Sequence, residues 1–213
     1  MKAVIFDFDG TIADSFSTVV NIAYKLTKKP QLADVKQIAT IRDNNIGLKE
    51  LMANLDIPKW KWPWLMHKGK KIMAKDIHQI PVFDGIHEVL RSLKDQKYFL
   101  YIISSNSTSN IEKFLSEKGL LLYFDKVYGG AGIFDKARLI TKVLKEQKIE
   151  PDSTVYVGDE VRDIQASKQI GMPCIAVGWG YNGADLLAQN SPMVVVRKPK
   201  ELLQVISQWG DTI

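Results

Sequence analysis

Apolar residues along this chain fall mostly in short continuous runs, not in alternating patterns. Ala3 to Phe8, Phe99 to Ile103, Thr154 to Val157, Cys174 to Val177 and Met193 to Val196 each predict a strand buried on both faces. Between them stand stretches with helical periodicity, at Ile86 to Lys97, Thr108 to Lys118, Lys136 to Lys148 and Val161 to Ile170. Strands alternating with helices predict an α/β domain with a doubly wound, Rossmann-like parallel sheet. From about Ser15 to Ile80 the alternation stops and only helical patches are found, at Phe16 to Lys28, Leu48 to Leu55 and Leu65 to Ile77. Pro30, Gly47, Pro58 and Pro63 punctuate them. The expected organisation is therefore a core formed by residues 1–14 and 81–213, with a small all-helical domain of residues 15–80 inserted after the first strand.

Composition narrows the class without changing this picture. A chain of 213 residues is long enough for one domain with an insertion. Its net charge of +5 is spread out, apart from the local group Lys68, Lys70, Lys71 and Lys75. No dense basic stripe marks a nucleic-acid or membrane surface, so neither partner is expected. Cys174 is the only cysteine and lies in an apolar run, which predicts a buried strand thiol and excludes an intrachain disulfide. No apolar run is long enough to span a bilayer and no leader pattern opens the chain; the expected location is the cytoplasm. Oligomeric state has no sequence signature here.

The chemistry gathers at the ends of the predicted strands. The first runs into Phe6-Asp7-Phe8-Asp9-Gly10-Thr11, which puts two carboxylates where burial is costly unless something offsets it. The carboxyl edge of an open α/β sheet is also where ligands bind. The next strand ends in Ser104-Ser105-Asn106-Ser107, and a later one in Gly158-Asp159-Glu160, followed by Asp163. Lys136 opens a helix after the glycine-rich Gly129 to Gly132. Acids, hydroxyls and a lysine on one edge suit a hard cation such as Mg2+ together with a phosphate group. One aspartate can attack phosphorus and a second can act as general acid and base.

These residues resemble the haloacid dehalogenase superfamily of phosphohydrolases. The first motif of that superfamily stands here as Asp7-Phe8-Asp9-Gly10-Thr11, the second as Ser104, the third as Lys136 and the fourth as Gly158-Asp159-Glu160-Val161-Arg162-Asp163. The helical insertion and the run Gly178-Trp179-Gly180-Tyr181 look like the phosphoglycolate phosphatase-like subgroup. The resemblance implies a Mg2+-dependent phosphatase of a small phosphorylated metabolite, with phosphoglycolate the first candidate. By the same resemblance Asp7 is the nucleophile and a metal ligand, and Asp9 the acid/base with its carbonyl on the metal. Asp159 is a ligand, and Asp163 binds the metal or supports its ligands. Thr11, Ser104, Ser105, Asn106 and Lys136 form the phosphate-binding set. Two alternatives remain open at this level, a sugar-phosphate phosphomutase and a non-enzymatic phospho-acceptor or binding protein.

Plainer readings suit other residues. Glu160 and Arg162 are expected to be solvated, and His67, His78 and His87 lack metal-ligand spacing. The run Trp60-Lys61-Trp62-Pro63-Trp64 is expected to form the core of the helical insertion or its contact with the larger domain. Arg42 and Lys49 are candidates to meet a second anionic group of the substrate.

Overall fold

A computed structural model describes residues 2–27, 58–130 and 136–212. Six parallel strands form one sheet in the order β3-β2-β1-β4-β5-β6. They are β1 Ala3–Phe6, β2 Phe99–Ile103, β3 Lys126–Tyr128, β4 Thr154–Gly158, β5 Cys174–Val177 and β6 Val194–Val196. The described helices are numbered α1 Phe16–Thr27, α2 Trp62–Asp76, α3 Ile86–Asp95, α4 Thr108–Glu117, α5 Lys136–Gln147, α6 Val161–Ile170, α7 Ala184–Gln189 and α8 Pro199–Gly210.

The unbroken apolar runs have a direct cause. Successive residues of a strand face opposite sides, and helices cover both sides of this sheet. Val4, Phe6, Leu100, Ile102, Val155 and Val157 face one way, against α3, α4 and α8. Ala3, Ile5, Tyr101, Ile103 and Tyr156 face the other way, against α5 and α6. Cys174 is buried there as expected, and burial pushes its thiol up to about 12.

Strand β1 is shorter than its apolar run. Hydrogen bonding to β4 continues one residue past Phe6, through the N–H of Asp7 on the carbonyl of Val157 at 2.8 Å. The chain then turns, and the Phe8 carbonyl accepts from the N–H groups of Thr11, Ile12 and Ala13. Strand β3 was not foreseen because it is a three-residue edge strand bearing a lysine. Helices α7 and α8, too, lie beyond the predicted elements.

Of the inserted segment, α1 and α2 are described and pack on each other. The patch Leu48 to Leu55 lies outside the described residues, as do Arg42 and Lys49. Helix α2 starts three residues before the predicted Leu65 because Pro63 sits in its first turn, where a missing N–H costs nothing. Two of the three tryptophans of the run correct the prediction; the Trp62 side chain lies outside what is described. Trp60 is 76% exposed and Trp64 51% exposed, so neither is a core residue. Lys61 and Lys68 instead lie over their rings, at 5.0 and 5.2 Å from the centroids. The two passages joining the insertion to the sheet run side by side. Ala13 bridges Val82 in antiparallel fashion, and the Asp14 N–H donates to the Pro81 carbonyl at 2.9 Å.

Candidate active site

Strand β1 has β2 on one side and β4 on the other. The chain crosses from one half of the sheet to the other here, which makes the carboxyl ends of β1 and β4 the switch point of the fold. Asp7 follows β1 and Asp159 follows β4. Both are buried, as are Lys136 at the first position of α5 and Asp163 in the first turn of α6.

Lys136 ties three of these elements together. Its Nζ donates to Asp7 Oδ2 at 2.7 Å and also pairs closely with Asp163 Oδ1. Burial works to strip the lysine of its proton, but Asp163 and Asp7 together hold it well above the ordinary lysine value. Asp7 Oδ1 accepts the Phe8 N–H at 2.7 Å, so the whole carboxylate is oriented. Asp163 Oδ2 accepts the N–H of Glu160, the residue that caps α6, at 3.0 Å. Asp163 thus reaches from a helix cap to Lys136.

Asp9 belongs to a second group. Its Oδ2 accepts from Asn106 Nδ2 at 3.1 Å and the Ser15 hydroxyl acts on the same carboxylate, while its Oδ1 is buried with no hydrogen-bond partner among the described residues. Asn106 is oriented by two donors on its Oδ1, the Ser107 N–H and Asn110 Nδ2. Its Nδ2 also lies 3.1 Å from Met73 Sδ of α2. The inserted segment therefore touches the site at this point. Ser104 is buried and its Oγ accepts the Asn106 N–H at 3.0 Å, whereas Ser105 is half-buried.

Asp159 is held by neutral donors. Thr11 Oγ1 donates to its Oδ1 at 2.8 Å, and the Tyr181 N–H donates to its Oδ2 at 2.7 Å. Thr11, grouped above with the phosphate-binding residues, thus spends its hydroxyl on Asp159, and its N–H is turned back on Phe8. Two glycines let the backbone come this close. A Cβ on Gly10, whose φ is +82°, would stand 2.1 Å from Asp159 Oδ2, and one on Gly180 would stand 2.2 Å from Asp159 Cβ.

These placements set the electrostatics. Burial pushes Asp7 up to about 6, against the pull of Lys136. Burial likewise pushes Asp9 up to about 6. Asp159 is raised well above the usual carboxylate range, by burial first and then by Glu160, Asp7 and Asp163. Among the described residues no lysine or arginine pairs with it. One oxygen each from Asp7, Asp159 and Asp163 lies within 4.8 Å of the other two. Three buried oxygens of like charge, one of them without a protein cation, fit a hard divalent ion.

Glu160 and Arg162 correct the prediction of solvated charges. Glu160 is buried and pairs with the half-buried Arg162. Arg162 Nε is buried without a partner among the described residues, and the positive charge acts on Asp7 and Asp9. Sequence spacing carries no sign of this, because it depends on the first turn of α6 tucking under the site. Tyr181 and Asn182 are further site residues that the sequence did not single out for a role. The Asn182 N–H donates to the Asp159 carbonyl, and Asn182 Oδ1 accepts the Val161 N–H at 3.0 Å.

Two acids in the turn after β1, a lysine clamped between carboxylates and a cation-seeking acid after β4 define a class. The sequence profile of the haloacid dehalogenase-like hydrolases matches residues 4–177, and the chain belongs to that family. Within it, this chain is a phosphatase. It is similar, at 32% identity over 212 residues covering 98% of each chain, to a phosphoglycolate phosphatase of Synechococcus elongatus. It is 25% identical to a phosphoglycolate phosphatase of Aquifex aeolicus, with 97% of each chain covered. Among solved structures, a predicted phosphatase from Clostridium acetobutylicum shares the fold with a TM-score of 0.81 at 23% identity, over 97% of this chain and 98% of that one. No helix among the described residues is long and apolar enough to cross a membrane.

Proposed function

We propose that this phosphatase hydrolyses the monoester of a small phosphorylated metabolite through a phosphoryl group carried on Asp7, with Mg2+ as its cofactor and phosphoglycolate as the first substrate to test. The observation that carries this reading is the contrast at the switch point. Asp7 is oriented by Lys136 and by the Phe8 N–H, while Asp159 beside it has only neutral partners among the described residues. An oriented carboxylate next to an unbalanced one suits a nucleophile beside a metal ligand.

Asp7, Asp159 and Asp163, with the main-chain carbonyl of Asp9, are the groups that would hold the ion. When bound, Mg2+ offsets the negative charge that phosphoryl oxygens and carboxylates bring to one place. The remaining steps fall to the protein. Lys136, Ser104, Ser105 and Asn106 line the position for the phosphoryl oxygens. A carboxylate oxygen of Asp7 forms a bond to phosphorus as the ester P–O bond breaks. Asp9, with a pKa raised to about 6, passes its proton to the departing oxygen. Asp9, now ionised, takes a proton from the water that attacks the aspartyl-phosphate. Inorganic phosphate leaves and both acids return to their first state.

Residues 15–80 are read as a helical lid on a core of residues 1–14 and 81–213. The paired passages at Ala13 and Val82, and the approach of Met73 to Asn106, support this division. A lid would exclude water during attack and select the leaving group.

The test is release of inorganic phosphate from a panel of phosphate esters, with Mg2+ and with chelator. Release that depends on Mg2+ and is fastest with a small carboxylated ester is expected. Full rate in chelator, or conversion of a sugar phosphate to its isomer without phosphate release, would overturn the reading.

A further inference from the structure

The loop after β5, residues 178–182, touches Asp159 with its backbone and the start of α1 with its side chains. Tyr181 does both. Its N–H lies 2.7 Å from Asp159 Oδ2, and its buried hydroxyl lies 3.0 Å from Ser15 Oγ. Its ring packs edge-on against Phe16, the first residue of α1, with centroids 5.2 Å apart and planes at 74°. Two neighbours brace the same loop. Trp179 Nε1 donates to the Thr11 carbonyl at 3.2 Å, and Gly180 lies against Asp159 with no room for a Cβ.

We propose that Tyr181 is a positioning residue that couples α1 to the metal site. Its side chain, anchored on Ser15 and Phe16, fixes the main-chain N–H that it gives to Asp159. The placement of α1 thereby sets the affinity of Asp159 for Mg2+. This rests on the reading of Asp159 as a metal ligand.

A group that hydrogen-bonds a ligating carboxylate orients it, and losing such a partner typically weakens metal binding about 10- to 100-fold. Here the donor is a main-chain N–H, which no substitution but proline removes, and whose position depends on a side chain anchored elsewhere. Loosening the anchor should cost less than deleting the donor, about three- to tenfold. Linkage also runs in reverse: if α1 biases Mg2+ binding, Mg2+ must stabilise the start of α1. The Val19 N–H, which donates to the Ser15 carbonyl at 2.9 Å, reports on that turn.

The experiment compares wild type with Tyr181→Phe, Ser15→Ala and the double variant, all without substrate. Mg2+ is titrated and followed by melting temperature, and hydrogen exchange at the Val19 amide is measured with and without the ion. Tyr181→Phe keeps the ring and the N–H and removes only the hydroxyl. The expected result is Mg2+ binding about three- to tenfold weaker in each single variant. The double variant should be no weaker than Ser15→Ala alone, because Tyr181→Phe removes a link that Ser15→Ala already breaks, whereas Ser15→Ala also loses the hydroxyl that acts on Asp9. Mg2+ should slow exchange at Val19 in wild type and not in the variants. A merely structural role would lower the melting temperature without changing Mg2+ affinity or Mg2+-dependent exchange. Wild-type affinity in Tyr181→Phe, within about twofold, would overturn the coupling and leave the proposed function standing. If wild type binds no Mg2+ at all, both fall.

Discussion

Strand β1 and the turn after it are both largely buried and have opposite characters. From Ala3 to Phe6 every side chain is apolar and packs between layers of helices. One residue later the chain buries Asp7 among Asp159, Asp163 and Lys136. In the first region burial is the source of stability, at about 1.5–3 kcal/mol for each large apolar side chain. In the second, burial opposes ionisation and lifts Asp7 and Asp9 to about 6. A fold seeking stability alone would fill that space with apolar groups. The site is therefore the place where stability has been exchanged for chemistry, and changes in the two regions should have separable effects.

The largest expected effect lies in the polar region. Asp9→Asn should lower the rate of phosphate release by about 10²- to 10⁴-fold, the usual range for a lost acid/base. Steady-state kinetics on folded protein check it; a rate within about tenfold of wild type would remove Asp9 from that role. In the apolar region, Leu93 is fully buried in α3, which leads into the amino end of β2. Leu93→Ala should cost about 2–5 kcal/mol in denaturant unfolding and leave the turnover of the folded fraction within about twofold. A large loss of turnover without loss of stability would blur the comparison.

The smallest effect sharpens the contrast through pH. Asp7, raised to about 6 by burial in the metal-free protein, is mostly protonated at pH 5 and ionised at pH 7.5. Mg2+ must displace that proton at pH 5, so it binds more weakly there. One pH unit below the pKa corresponds to about tenfold, or about 1.4 kcal/mol. The rise in melting temperature caused by a fixed Mg2+ concentration should be larger at pH 7.5 than at pH 5, by about 3 °C or more. Equal shifts at both values would show that no buried carboxyl competes with the ion.

How far the sequence foretold this depends on what each feature rests on. The central strands were legible because burial on both faces leaves a continuous apolar run, as at Phe99–Ile103 and Cys174–Val177. The acids and the lysine were legible because each stands next to such a strand or at a helix start. Strand β3 was not, because three residues with a lysine carry no periodicity. Trp60 and Trp64 misled because apolar bulk signals burial only on average. Glu160 and Arg162 pair locally, two positions apart, but their placement beside Asp159 and Asp7 depends on distant segments meeting, as does the Thr11 hydroxyl, which reaches Asp159 across 148 positions. Residue spacing cannot show such contacts.

The proposed mechanism turns most directly on Asp7. Asp7→Asn keeps the shape of the side chain and removes its power as a nucleophile. Phosphate release from the best ester of the panel, measured on the folded variant at saturating Mg2+, should fall by at least about 10³-fold. A circular-dichroism spectrum and melting temperature matching wild type would show that the fold is kept. Release at a rate close to wild type from that folded variant would contradict the assignment of Asp7 as the phosphoryl acceptor, and with it the mechanism.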